Sequence, residues 1–253
     1  MKIKPEYLLA TLLLGASLCF AYPHLYGPFE KGEQVKLFPM VECQLVQSDS
    51  SNFVDTKQFF RYQLDYLRLN ISTGENGNQI ALINLNQPSK PLFQSGDLDI
   101  SLMLASTVRW GYLNEDHAPD YIIEAWTGGN GLAASFCYVL FLLSDGNHYA
   151  MQKLMTVTPG PEDFVDLNKD GICEYIHTAF VYGEAGKDSK IHNYWCYSIL
   201  QFEQDKLVIK NQIDERFPKW VMYSNNENHE ATKQLIDEQK IRLLSEQHNW
   251  LTK

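Results

Sequence analysis

One internal repeat constrains this chain more than any other feature. Residues 112–122, "YLNEDHAPDYI", align with residues 166–176, "DLNKDGICEYI", at an offset of 54. The alignment matches Leu113 with Leu167, Asn114 with Asn168, Asp116 with Asp170, and Asp120-Tyr121-Ile122 with Glu174-Tyr175-Ile176. Further on, "FCY" at 136–138 lines up with "WCY" at 195–197 once the second copy is given a longer loop. A period of this size belongs to stacked modules or blades.

Each copy has the same grammar. A polar loop leads into a strand ("DYIIEAW" or "EYIHTAFVY"), followed by a glycine-bearing loop and a strongly apolar strand ("FCYVLFLLS" or "YWCYSILQF"). A turn ("DGN" or "EQD") and another strand complete it. Short runs rich in Tyr, Ile, Val and Phe between turn signals predict antiparallel β-meanders. The expected fold class is therefore mainly β, with meander repeats of the kind that build propeller blades, in a small or incomplete propeller, and a C-terminal α-helix.

Four segments are expected. Residues 1–21 combine Lys2 and Lys4, an apolar run from Tyr7 to Phe20, and small residues ending at Ala21, the pattern of a cleaved signal peptide. This implies export to the periplasm or the extracellular space. Residues 22–100 form a β-rich N-terminal region, in which "FRYQLDYLRLNIS" is expected as a bulged strand, because its apolar alternation slips by one residue between Tyr66 and Leu67; a helix using Phe60, Leu64, Leu67 and Ile71 is the competing view. The turn chemistry of "STGENGNQ" and "NQPSKP" brackets the strand "IALINL". Residues 101–215 hold the two repeats. Residues 216–253 carry "FPKWVMY", read as an extended segment, and then a helix over 228–248 with Asn228 as its cap.

Charge narrows the partners. The chain is formally −10, and loss of the leader, with Lys2, Lys4 and Glu6, leaves 19 basic and 30 acidic side chains, near −11. Binding to a phosphate backbone depends on clustered Lys and Arg releasing counterions, so no nucleic-acid partner is expected. No stretch after the leader is long enough to span a bilayer. Cys43, Cys137, Cys173 and Cys196 remain after cleavage; two disulfides in any of three pairings, or buried thiols, are open alternatives.

The segment "DLNKDGICE" carries the chemistry. Hard divalent cations such as calcium take six to eight oxygen ligands, and alternating side chains on a tightly curved loop direct oxygens to one point. The candidate ligands are Asp166, Asn168, Asp170, the backbone carbonyl of Ile172, and Glu174, with Gly171 at the bend. Three crowded carboxylates repel one another unless something positive lies among them. An EF-hand requires a glutamate at loop position twelve, where this chain has His177. In the first copy Tyr112 replaces the leading aspartate and His117 the glycine, so that copy is expected to keep the turn and lose the metal; a weaker site on Asn114, Asp116 and Asp120 is the competing view.

A nine-residue loop of this kind followed by "EYI" within a meander repeat resembles the calcium-binding hairpin loops of FG-GAP and VCBS-type repeat proteins, including the propeller of integrin α subunits. The resemblance covers about residues 108–215; neither a Phe-Gly nor a Gly-Ala-Pro sequence occurs. It implies Asp166, Asn168, Asp170, Ile172 and Glu174 as ligands of one structural calcium, and a binding or scaffolding role at the cell envelope or outside the cell, toward a protein or carbohydrate ligand. The alternative is a secreted hydrolase with catalytic carboxylates on scattered loops, for which Glu124, Glu162 and Asp163 are candidates. "TGGNG" at 127–131 lacks the spacing of a nucleotide-binding loop.

Overall fold

Tyr, Ile, Val, Phe and Leu crowd the segments between the turn signals, and in the computed structural model these segments are strands. The structure describes residues 33–34, 38–39, 42–47, 58–74, 77–98, 105–126, 136–157, 159–211, 221–224, 233–237 and 239–240. The signal peptide expected at 1–21 and the "TGGNG" segment lie outside them.

Two short strands come first, β1 (Glu33–Gln34) and β2 (Phe38–Pro39). A first sheet follows as a meander in chain order: β3 (Glu42–Gln47), β4 (Gln58–Leu64), β5 (Leu67–Gly74), β6 (Gly77–Asn84) and β7 (Phe93–Gln94). The second sheet is β8 (Ala105–Gly111), β9 (Asp120–Trp126), β10 (Phe136–Ser144) and β11 (Tyr149–Val157), with β2 added beside β8. The third is β12 (Phe164–Asp166), β13 (Glu174–Ala185), β14 (Ile191–Glu203) and β15 (Lys206–Ile209), with β1 beside β12 and β16 (Val221–Ser224) beside β14. Every pairing among the described residues is antiparallel, and none of the three sheets closes into a barrel. The fold is mainly β, and the two copies of the repeat are the second and third sheets.

Side-chain alternation shows how the sheets stack. Along β10, Leu140 and Leu142 join a cluster with Leu69, Ile71, Ile80 and Leu82 of the first sheet. The intervening Val139, Phe141 and Leu143 join Phe164, Tyr175, Leu200 and Phe202 of the third. The second sheet is thus covered on both faces, which is why "VLFLLS" is continuously apolar and not alternating. Phe141 is fully buried, and its ring meets those of Phe202, Tyr175 and Phe164 at centroid distances of 5.3, 5.4 and 6.3 Å. Because residues 62–82 share a core with the second sheet, the N-terminal region packs into the repeats, and β1 and β2 extend them by pairing with β12 and β8.

Polar links tie the second sheet to the third at β11 and β13. The Thr156 hydroxyl meets Tyr175 Oη at 3.1 Å and donates to the Thr178 carbonyl. His177 Nε2 lies 3.0 Å from the Met155 carbonyl, which only accepts, so the ring proton sits on that nitrogen. His177 is therefore a core histidine.

Two expectations are corrected here. The slip between Tyr66 and Leu67 is no bulge: Asp65 and Tyr66 form a two-residue hairpin turn, with Leu64 opposite Leu67 and Asp65 at φ 50°. Asp tolerates the left-handed angle, but without a following Gly the pair is a weak hairpin signal. The long C-terminal helix is, within the described residues, only a helical turn at 233–235 and two helical residues at 239–240. Asp237 Oδ1 accepts from Lys240 N at 2.8 Å, which caps a new start, and the Leu235 carbonyl accepts from Lys187 N at 2.6 Å. Ile236 of this segment still docks, against Ala179, Val181, Tyr194 and Cys196.

Candidate functional site

The 166–174 loop joins β12 to β13 and curls around the carboxylate of Asp166. Its Oδ2 accepts from Gly171 N at 2.9 Å and its Oδ1 from Asp170 N at 3.2 Å. Asn168 Oδ1 accepts from Asp170 N at 3.0 Å, and Asp170 Oδ1 accepts from Ile172 N at 2.9 Å. The Asn168 and Asp170 bonds are successive Asx turns, in which short polar side chains bond the backbone two residues on. Lys169 and Gly171 take left-handed backbone angles, φ 62° and 87°, to close the curve.

Glu174 is fully buried at the end of the loop. Its Oε2 accepts from Leu167 N at 2.7 Å, and its Oε1 from Gln201 Nε2 at 2.7 Å. The same Gln201 nitrogen also reaches Asp170 Oδ2, at 3.2 Å, and Asn168 Nδ2 reaches that oxygen at 2.7 Å. Two carboxylates therefore converge on one amide from β14. Each of these donors is neutral. Burial pushes the Glu174 carboxyl up to about 7 against the pull of the Leu167 N–H and Gln201, and the charges of Asp170 and Asp166 add to the rise.

The 112–120 loop repeats this plan with different surroundings. Asp120 Oδ2 accepts from Leu113 N at 3.0 Å, as Glu174 does from Leu167 N, and its Oδ1 accepts from Ser144 N at 2.8 Å. Asn114 Oδ1 accepts from Asp116 N, and Asp116 Oδ1 from Ala118 N, reproducing the two Asx turns. Burial pushes Asp120 up to about 7 as well. The acidic residue at the loop's last position is thus a staple in both copies, holding the N–H seven residues earlier. Asn114 turns its amide to the carbonyls of Ser144 and Gln204, and each Asp120 oxygen accepts from a backbone N–H. The two loops also bond directly, Cys173 N donating to the Leu113 carbonyl at 2.9 Å.

His117 stands where the second copy has Gly171, and it keeps the left-handed backbone, at φ 57°. A side chain there costs about 1–2 kcal/mol. His117→Gly is expected to raise unfolding free energy by about 0.5–1 kcal/mol in urea denaturation, after the entropy cost of glycine is deducted.

Among the described residues, two clefts open along the edge where these loops lie. The larger, about 720 Å³, lies between the second and third sheets and is bordered by Glu115, Asp116, Asp145, Ile172, Gln201 and Glu203 among others. Asp145 caps Asn147 N and His148 N, which hold it below the usual carboxylate range, and Glu203 is ion-paired with Lys210. The smaller, about 430 Å³, lies between the first and second sheets.

Glu124 is buried and pairs with Arg109 at 2.6 Å; Asp163 accepts from Gly160 N at 2.8 Å in a 3-10 turn; Glu162 is exposed on the same turn. Cys137, Cys173 and Cys196 are buried free thiols, and the Cys43 side chain lies outside the described residues. No helix among the described residues is long and apolar enough to cross a membrane. Also among them, no three His, Cys, Asp or Glu side chains are gathered closely enough to hold a metal as they stand. Gln201 is the residue that sequence reasoning missed, because its partners are 27 and 31 positions away.

Comparison of the chain with protein-family models, with curated proteins and with solved structures finds no significant match.

Proposed function

We propose that the protein is an exported β-repeat module that binds or scaffolds at the cell envelope or outside the cell, clipped by one calcium ion at the 166–174 loop. The observation that carries the calcium is the convergence of Asp170 and Glu174 on the single neutral nitrogen of Gln201, beside a loop already wound around Asp166. The donor set fits a hard cation: oxygen throughout, with lone pairs left on each carboxylate beyond the hydrogen bonds they accept. Asp166, Asn168, Asp170, the Ile172 carbonyl and Glu174 would hold it, with the amides of Asn168 and Gln201 turned over to present oxygen. The ion would fix the entry to β13 and neutralise a group that burial now disfavours as an anion.

A binding module accounts for the clefts better than a hydrolase. Around the larger cleft Asp116 and Asp145 cap turns and Glu203 pairs with lysine, and half-exposed aromatic rings rim the smaller one.

Calcium titrated into chelator-treated protein is expected to raise the melting temperature. Extracellular sites bind at about 10⁻⁴ to 10⁻³ M, so calcium about 100-fold above Kd stabilises by about 2.7 kcal/mol. Asp166→Ala should abolish the shift. The shift should also depend on pH. With the folded Glu174 and Asp120 values near 7, above the ordinary carboxylate range, the native state binds the extra protons. Their contribution to stability is fully present below about pH 4 and is lost as pH rises through 7. Calcium competes with the proton on Glu174, so the shift should be larger at pH 8 than at pH 5. An unchanged melting temperature in wild type at pH 8 sinks the proposal.

A further inference from the structure

Resting on the reading of the chain as a binding module, we infer that the 430 Å³ cleft between the first and second sheets is a carbohydrate subsite that takes a neutral pyranose ring. Its volume falls within the range of small-ligand sites, about 300–1,000 Å³. The two positions at which the first repeat abandons the cation loop both line it: Tyr112, in place of Asp166, and His117, in place of Gly171. The first loop has lost ligands in one place and gained a cleft wall in the same place.

The wall suits a sugar. Tyr66 and Tyr112 are each 51% exposed, and an exposed ring offers a flat apolar face to the C–H side of a pyranose. Trp110 meets Tyr112 edge-on at 5.7 Å and 89°, which holds the Tyr112 ring in place. Asp65 and His117, two of the non-glycine residues with left-handed backbone, flank the opening at φ 50° and 57°. Asp116 Oδ2 is buried at the cleft wall with no hydrogen-bond donor among the described residues, an acceptor that a hydroxyl would satisfy. Asp65 and Asp116, on a chain of net charge −10, disfavour acidic sugars and so point to neutral ones.

The test is calorimetric titration with neutral oligosaccharides, namely the hexamers of cellulose, amylose, mannan, xylan and chitin, with oligogalacturonate as the acidic control. At least one neutral hexamer should bind and the acidic one should not. Tyr66→Ala and Tyr112→Ala should each weaken binding by at least about tenfold, with the melting temperature and its calcium shift unchanged. Tyr112→Phe, which keeps the ring, should retain binding. Absence of binding by every neutral hexamer, binding indifferent to both alanine variants, or preference for oligogalacturonate would each overturn the inference. Because the calcium shift is read on the same samples, failure here is separable from failure of the calcium clip.

Discussion

Phe141→Ala is expected to cost about 3–5 kcal/mol of unfolding free energy, measured by urea denaturation, the largest effect of any single substitution considered. The phenylalanine is fully buried on β10 and touches rings from three strands of the adjoining sheet, Phe164, Tyr175 and Phe202. Deleting its ring removes transfer free energy and leaves a cavity between sheets that cannot easily collapse, because β-sheets on both sides are already hydrogen-bonded to their neighbours. Phe141→Leu, which keeps most of the volume, should cost clearly less. A loss below about 1 kcal/mol for the alanine variant would show that the second and third sheets do not share this core.

Asp120→Ala is expected to cost about 2–5 kcal/mol, from two backbone N–H groups left buried without partners. Those groups belong to Leu113 and Ser144, so the substitution frees both the loop before β9 and the turn after β10. Asp120→Asn should fall in between: its one amide oxygen replaces one acceptor, and the charge that burial disfavours is gone. The two substitutions are read by denaturation at pH 8, where the carboxylate is ionised and accepts both bonds. Equal stability of wild type and Asp120→Ala would contradict the staple.

The staple explains why so much of the repeat was legible. Asp120 and Glu174 are kept because a buried N–H at 113 or 167 needs an acceptor, and the Asx pairs at 114/116 and 168/170 because the curve needs side chains that bond their own backbone. Such local requirements leave fixed spacings, so the second and third sheets could be anticipated from the sequence. The first sheet follows the same meander plan without a matching motif. Its Asp65–Tyr66 turn lacks the glycine that marks a two-residue hairpin, and its apolar alternation therefore reads as one bulged strand.

Long-range features left no spacing to find. Gln201 meets Glu174 across a β13–β14 pair whose register depends on the whole hairpin, and the smaller cleft gathers residues from Leu64 to Tyr149. The C-terminal helix was overstated for the opposite reason: its apolar spacing was read, but the capping acidic residue in mid-pattern, Asp237, was not. The same sequence comparison that showed Tyr112 and His117 as losses from a cation loop could not show that both face one opening. Only the stacking of the first sheet against the second gives those two substitutions a place.

The most direct test of the central claim is calcium titration by calorimetry at pH 8 into chelator-treated protein, because the two loops share a backbone plan and differ in their ligands. One site per chain is expected, lost in Asp166→Ala and unaffected by Asp116→Asn. Two equivalent sites, or no heat of binding in the wild type, would contradict a single calcium clip at residues 166–174.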